Sequence, residues 1–414
     1  MGCACARHNK HVSAADDSQT MQRKMMIITQ DRLASQALRA RGIVVQYTDG
    51  ASEPPGKHES VTRTQIAAKL AALKGYEFAG DYDPARRYAG PLYFVPSDTL
   101  TGSELVRKLG IRDHHDLFGG VVPYPFAATK TITHPLVSPD AFAPHGWSHE
   151  FAHRVQDVVL FGFSAFTPAD LRRAAARVLA RGRARIKPAR GIGGRGQTVI
   201  TSTADLDATL DATDPAELAN YGAVIEQNFD EIETYSVGQT YVADVLATYY
   251  GRQLLTKDNR GANVYGGSDL LVVRGDYDDL LSLELSPEAR LAINNARAYE
   301  AAAINSFAGW FASRRNYDVA QVVGDDGRRS CGVLEQSWRI GGASAAEIAA
   351  LEAFCADSRL RAVRAACIEV YGEHQVPSDA VVNFRGLDDR LGPITKYTRV
   401  ERYDNSRCAD RDRR

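Results

Sequence analysis

Net charge is nearly absent from this chain. Lysine and arginine number 50, aspartate and glutamate 51, and the formal charge is −1 over 414 residues. That balance excludes a strongly basic nucleic-acid surface over the whole chain and leaves room only for a local patch. Long apolar runs are missing as well. A membrane-spanning helix needs roughly 20 apolar residues in succession. The best stretch, 301–312, is interrupted by Asn305 and Ser306 and opened by Glu300. Residues 1–24 are polar and lack the apolar region of a secretory signal, so they read as a disordered leader. Gly2 suits myristoylation, but position 6 is Ala6, where Ser or Thr is needed. Met21, Met25 or Met26 is an alternative start. Cysteine is scarce: six residues, Cys3, Cys5, Cys331, Cys355, Cys367 and Cys408, with no Cys-x-x-Cys pair. A zinc ribbon is thereby excluded and a disulfide framework disfavoured. Reduced thiols in a cytoplasmic protein, with no membrane and no nucleic-acid partner, are expected.

What remains is ordinary globular composition, 44% hydrophobic and 24% charged. The length suggests two or three domains of roughly 100–200 residues, with a core large enough to need no staples. Residues 25–125 read as a small α/β unit. Met26–Thr29 is a short apolar run, and Asp31–Arg41 has helical period, with Gly42 as its C-cap. Ile43–Tyr47 and Pro91–Val95 read as strands, Ser60–Lys74 and Ser103–Leu109 as helices. Gly119-Gly120 marks a boundary, and residues 126–165 are irregular.

Beyond it, Pro168–Ala180 reads as a helix with Thr167 as N-cap. Arg183–Pro188 and Gln197–Thr201 are strands around the loop Ala189–Gly196. Ala204–Leu210 is helical, and Ala223–Gln227 and Glu233–Val245 are strands. A turn at Tyr250-Gly251-Arg252 joins 241–249 to Gln253–Lys257. Pro287–Phe311 is a long alanine-rich helix. Tyr317–Val323 and Cys331–Gln336 form a hairpin around Gly324-Asp325-Asp326-Gly327. Ala345–Tyr371 is the last long helix, with Ser344 and Glu347 at capping-box spacing. Residues 401–414 form a charged tail.

The strongest local signal is the run from Arg185 to Ile200. Gly191, Gly193, Gly194 and Gly196 expose backbone N–H groups that can wrap phosphate oxygens, and Lys187 adds a fixed positive charge. Gly191-x-Gly193-x-x-Gly196 matches the dinucleotide fingerprint in letters. That fingerprint must open a helix, whereas Gln197-Thr198-Val199-Ile200-Thr201 is β in character. A hairpin tip without a ligand remains the plain alternative. A second motif points elsewhere. His149-Glu150-x-x-His153 has the zinc-hydrolase pattern, in which two imidazoles share a helix face and the glutamate activates water. Pro144 and Gly146 cut any helix short upstream, and no third ligand follows at the usual spacing.

A strand, a glycine-rich tip and a returning strand with a lysine leading in resembles the ATP-grasp superfamily. The order of elements continues the resemblance: Lys130, then Lys187 with its loop, Glu226 and Glu233, Asp318, and Glu335. It covers residues 126–400 and implies a fold of α+β lobes, with 126–225 as the small lobe, 226–400 as the C-terminal lobe and 25–125 as a preceding α/β domain. The whole chain also resembles an uncharacterised bacterial family of this superfamily.

The resemblance implies ATP and Mg²⁺ as cofactors. Lys130, Lys187, Arg190 and Gly191, Gly193, Gly194 and Gly196 would meet the phosphates. Glu226 and the Phe229 backbone would take adenine, and Glu233 the ribose. Asp318 and Glu335 match the metal-holding acids, and Ser337 stands where Asn is usual. Arg339 matches the arginine that holds a substrate carboxylate or acyl phosphate. The polar loop 256–268 reads as a substrate loop, in which Lys257 reaches phosphate and Arg260 and Asn263 meet an anion; an ordinary surface loop is the alternative.

The implied activity is an ATP-dependent carboxylate–amine, or less often –thiol, ligase working through an acyl phosphate, with Lys187, Arg339 and Lys257 in the chemistry. Small-molecule carboxylates and amines, and a homodimer, are the expected partners. A small-molecule kinase stays open, as does a nucleotide-binding regulator with weakened chemistry, which Ser337 favours.

Overall fold

The computed structural model describes residues 42–48, 56–191, 196–324 and 327–403. The expected leader, the run Met26–Thr29, the helix Asp31–Arg41, the glycines Gly193 and Gly194, the turn tip Asp325-Asp326 and the tail from residue 404 lie outside them. The fold is mixed α/β. Its first sheet is parallel, in the order Glu77–Asp81, Ile43–Tyr47, Leu92–Pro96. Helix Lys57–Lys74 covers it with Ile66, Ala67, Leu70 and Ala71 buried. Full burial of one such aliphatic side chain contributes about 1.5–3 kcal/mol. Gly75 ends the helix in the left-handed conformation, φ +66°, with its N–H on the carbonyls of Ala71 and Ala72.

Gly120, of the Gly119-Gly120 pair, opens a strand. Gly120–Val122 is a strand between Leu100–Thr101 and Phe311–Ala312. A Cβ on Gly120 would lie 2.8 Å from that of Trp338, so glycine here admits the close approach of Trp338, and the strand pairing ties this segment to Phe311–Ala312. The helix expected to reach Phe311 accordingly stops at Ser306.

A second, antiparallel sheet runs Gly162–Ala165, Ala223–Gln227, Ala184–Pro188, Thr198–Ile200. Helix Pro168–Leu179 packs Leu171, Ala174, Ala175 and Val178 into its core, and Thr167 caps it by accepting from the Asp170 N–H. The largest sheet has eight antiparallel strands: Arg329–Ser337, Arg314–Val323, Ile232–Val242, Val245–Lys257, Asn263–Arg274, Ala362–Tyr371, Gly392–Arg402 and Val381–Asp388, in that order. Helix Pro287–Ser306 shares a core with Tyr317, Val319 and Val333. Helix Ser344–Ala356 shares another with Tyr249, Leu270, Val363 and Ala365. Side chains alternate along a strand, so Asp318, between Tyr317 and Val319, faces away from the first of these cores. Its direct partners are Ser236 and Glu335.

Three expectations are corrected. Val245–Lys257 is one unbroken strand; the chain reverses at Ala243-Asp244, whose φ angles are +50° and +62°. Gly251 serves close strand approach instead, since an added Cβ would sit 2.0 Å from the Asp269 carbonyl oxygen. Gly251→Ala is therefore expected to destabilise the protein by about 1–3 kcal/mol, the usual cost of overpacking. Urea unfolding checks this, and a loss below about 0.5 kcal/mol, typical of open surface sites, would refute it.

The last long helix ends at Ala356, and Ala362–Tyr371 is a strand. Val363, Ala365 and Cys367 are its buried face, an alternation masked by the alanines. Nor does the capping box form. Ala343 is the N-cap, without a side-chain bond, and Glu347 is fully buried against Arg314. Among the described helices, none is long and apolar enough to cross a membrane.

Candidate functional site

The glycine loop leaves the second sheet beside a buried ion pair. Arg185 stands opposite Glu226 in register. Lys187, two residues on, is therefore a diagonal neighbour of Glu226 on the same face. Its Nζ lies 2.5 Å from Glu226 Oε1, and both side chains are almost wholly buried. The other oxygen, Oε2, lies 3.2 Å from His134 Nε2. On the far side Glu226 is paired with Gly162. A Cβ there would come within 2.8 Å of Glu226 Cβ and 3.0 Å of His134 Cε1. Burial alone would raise the Glu226 pKa. The Lys187 charge and the His134 bond outweigh it and hold the carboxyl at about 2.

Lys130 opens the 3₁₀ turn Lys130–Thr133, whose N-cap is Thr129. Its buried Nζ donates to the Gly191 carbonyl at 2.7 Å and pairs with Glu335 Oε2 at 2.7 Å. One ammonium thus joins the first glycine of the loop to the hairpin of the large sheet. Gln336, next along the strand, donates through Nε2 to the carbonyls of Ala127 (3.1 Å) and Thr129 (2.6 Å), which fixes the turn against the hairpin. Opposite Glu335 sits Asp318, which accepts from Asn316 Nδ2 at 2.9 Å. Burial, and next the Glu335 charge, push Asp318 up to about 6. Two carboxylates in register, of which Glu335 is paired with Lys130, leave a place where a further positive charge is favourable.

Beneath the hairpin lies a fully buried pair. Arg314 Nη2 is 2.7 Å from Glu347 Oε1. Arg314 Nη1 donates to the Ser337 carbonyl (3.0 Å), Ser337 Oγ (3.2 Å) and the Arg339 carbonyl (2.5 Å). Ser337 thus already accepts a bond from arginine.

The structure joins Lys130, Gly191 and Glu335 in direct contact, sets Asp318 opposite Glu335, and places Lys187 on Glu226. Other expected residues are engaged elsewhere. Glu233 pairs with Arg252 at 2.8 Å and accepts from Tyr235. Phe229 packs with Leu160, Ala320, Val322 and Leu334. Arg190 lies over the Tyr221 ring and 3.7 Å from Glu217. Gly196 has φ +74°. Arg339 turns its side chain to Asp98 (3.5 Å) and the Ile340 carbonyl (2.8 Å). Lys257 and Arg260 are exposed near the loop between two strands.

His149 and His153 are exposed on a seven-residue helix, and Glu150 is paired with Arg154 at 2.9 Å instead of standing between the imidazoles. Residue patterns gave no hint of His134; its four-residue distance from Lys130 is the one signal available. Ser236, in register with Asp318, and Asn316, two residues before it on the same strand, carry no motif of their own.

The family model described as "Protein of unknown function (DUF3182)" matches residues 44–398. No curated protein matches the chain. Among solved structures, D-alanyl-alanine synthetase A from Vibrio cholerae O1 is similar at 11% identity, over 72% of this chain and 89% of that one, with TM-score 0.43. Phosphoribosylamine–glycine ligase from Thermotoga maritima is similar at 13%, over 87% and 92%, with TM-score 0.45. The ATP-grasp ligase PsnB complexed with a minimal precursor is similar at 13%, over 73% and 92%, with TM-score 0.35. Likenesses of this degree concern the course of the chain and carry no argument about activity.

Proposed function

The chain belongs to the DUF3182 family, whose description states no function, and from the geometry around Lys130 and Lys187 we propose an ATP-dependent ligase. It joins a carboxylate to an amine, or less often a thiol, through an acyl phosphate. The carrying observation is the placement of two buried ammonium groups at the foot of a glycine loop, one of them bound to an acid that faces a second acid. Lysines in such positions suit phosphate oxygens, and the acids suit a hard cation.

A substrate carboxylate oxygen attacks the γ-phosphorus, the bond to the β–γ bridging oxygen breaks, and ADP leaves. The amine then attacks the acyl carbon, inorganic phosphate departs, and the nitrogen loses a proton. Lys130 and Lys187 stabilise charge on the transferring group, the main resource in phosphoryl transfer. The glycine loop covers the phosphates and excludes water from the acyl phosphate. Glu226, with both oxygens engaged, acts on the nucleotide through Lys187, and the main chain at Phe229 is left to meet adenine. Arg339 is assigned to the acyl phosphate and Lys257 to the substrate side, Arg339 exchanging its contact with Asp98.

The donor set at the hairpin fits Mg²⁺. Asp318 and Glu335 offer carboxylate oxygens on adjacent strands; burial, and next the Glu335 charge, raise Asp318, and a cation relieves the second of these. Mg²⁺ neutralises charge on the β- and γ-phosphates when bound. Ser337 is a weak third donor because its hydroxyl already accepts from Arg314. That observation favours the second reading, a nucleotide-binding regulator.

Hydroxylamine trapping separates the readings. Carboxylate-dependent hydroxamate supports the ligase, phosphorylated product without hydroxamate the kinase, and Mg–ATP binding without turnover the regulator. Lys187→Ala is expected to weaken Mg–ATP binding about 10- to 100-fold, the effect of one or two charge-assisted hydrogen bonds. Calorimetric titration measures it, and unchanged affinity counts against the whole assignment.

A further inference from the structure

We infer that His134 is a positioning residue for the triphosphate, holding Glu226 and, through it, the ammonium of Lys187. The inference rests on the proposed reading of Lys187 as a phosphate ligand and adds a residue that no motif assigns. His134 has no exposed surface. It caps the C-terminal end of the turn that carries Lys130, so one short segment serves both lysines. Three bonds fix that segment: Ser164 Oγ donates to the Thr131 carbonyl at 2.5 Å, Gln336 Nε2 to the Thr129 carbonyl at 2.6 Å, and the Thr133 and Tyr299 hydroxyls lie 3.1 Å apart. The imidazole is therefore delivered by rigid surroundings.

Its one polar contact among the described residues is Glu226. Nδ1 is buried with no hydrogen-bond partner, while Nε2 faces Glu226 Oε2 at 3.2 Å. A bond to a carboxylate places the proton on Nε2. A histidine buried only to fill space would need no aimed nitrogen, and an unmade bond on Nδ1 carries a cost. The space is shaped for this pair as well, since any side chain at Gly162 would strike both Glu226 and His134.

The chemical effect follows from the two carboxylate oxygens. With Oε2 held by His134, Glu226 presents a single oxygen to Lys187, and the remaining ammonium protons stay available for a phosphate. Without His134 both oxygens are free to take the ammonium, and Lys187 is drawn back from the nucleotide. The loss is confined to ligands that carry phosphates.

Calorimetric titration of the full chain with Mg–ATP, Mg–ADP and adenosine tests this. For His134→Ala, ATP and ADP affinities are expected to fall about tenfold, the scale of one charge-assisted hydrogen bond, with adenosine affinity unchanged. His134→Gln, whose amide N–H can replace Nε2, should restore most of the loss. A purely structural histidine would lower the melting temperature and leave the ATP-to-adenosine ratio at its wild-type value; that result overturns the inference. Should His134→Ala fail to fold, His134→Asn, whose amide is too short to reach, takes its place with the same expectation. Failure of the underlying reading looks different: the wild-type protein would bind no Mg–ATP, or Lys187→Ala would bind it as well as wild type.

Discussion

Glu335→Gln is expected to reduce Mg²⁺-dependent ADP release by two to three orders of magnitude, the scale of losing one preorganised electrostatic group at a transition state. The glutamate has two neighbours that matter. Lys130 uses it as counter-ion at 2.7 Å, and Asp318 faces it in register. The amide keeps the size and can still accept a bond from Lys130, but it carries no charge for a divalent cation. Relieved of its neighbour, Asp318 falls from about 6 towards the ordinary carboxylate range. The variant should therefore still fold and still bind nucleotide in the absence of Mg²⁺, with the gain in affinity on adding Mg²⁺ lost. Coupled-assay turnover and titrations with and without Mg²⁺ measure the two parts. Wild-type turnover in this variant would remove the hairpin from the active site.

The second large effect is on stability. Glu347→Ala should cost about 3–5 kcal/mol, the penalty for stranding one member of a buried ion pair. Arg314 and Glu347 are essentially without exposure, and the Tyr249 hydroxyl donates to the same carboxylate at 2.6 Å. Removing the carboxylate leaves a guanidinium in the core without its counter-ion, and leaves the Tyr249 hydroxyl only Asn316 Oδ1, at 3.0 Å, as acceptor. For a domain of ordinary stability, about 5–15 kcal/mol, this is a third or more of the total. Glu347→Gln keeps an acceptor and should lose less. Denaturant unfolding provides the measurement, and a loss under about 1 kcal/mol would show that the pair is solvated.

The sequence was most informative where the deciding contacts are local. The hairpin from Arg314 to Ser337 carries its own turn signal, and counting from the turn gives the pairing as far as Val319 with Val333; an irregularity there sets Asp318 opposite Glu335 where counting alone would give Leu334. The glycine loop is legible for the same reason, as the strands that bracket it adjoin it. Where a distant partner decides, the local pattern misled. Ser344 and Glu347 have the spacing of a cap, yet Arg314, thirty-three residues earlier, takes the carboxylate because a buried guanidinium has the stronger claim. Glu233 is engaged by Arg252 from the neighbouring strand, where Arg252 stands opposite Tyr235. Alanine, at home in helices and tolerated in strands, concealed the strand Ala362–Tyr371. Gly251 reads as a turn in the sequence because glycine suits both a reversal and a tight strand approach, and only the neighbouring Asp269 tells them apart. His134 is a buried histidine without a pattern; its meaning lies wholly in the carboxylate it faces.

The counter-ion held by Lys130 has a kinetic consequence. Lys130 and Lys187 are each matched by a glutamate, so the region we propose as the phosphate site presents little unbalanced positive field from these two lysines to the solvent. A polyanion diffusing nearby is not drawn in over a Debye length, about 8–10 Å at moderate ionic strength. On the proposed reading, attraction would begin only on contact, with phosphate displacing Glu335 from Lys130 and a cation taking up the freed carboxylate. Association is then slower than electrostatic steering would allow, and its rate is nearly indifferent to added salt.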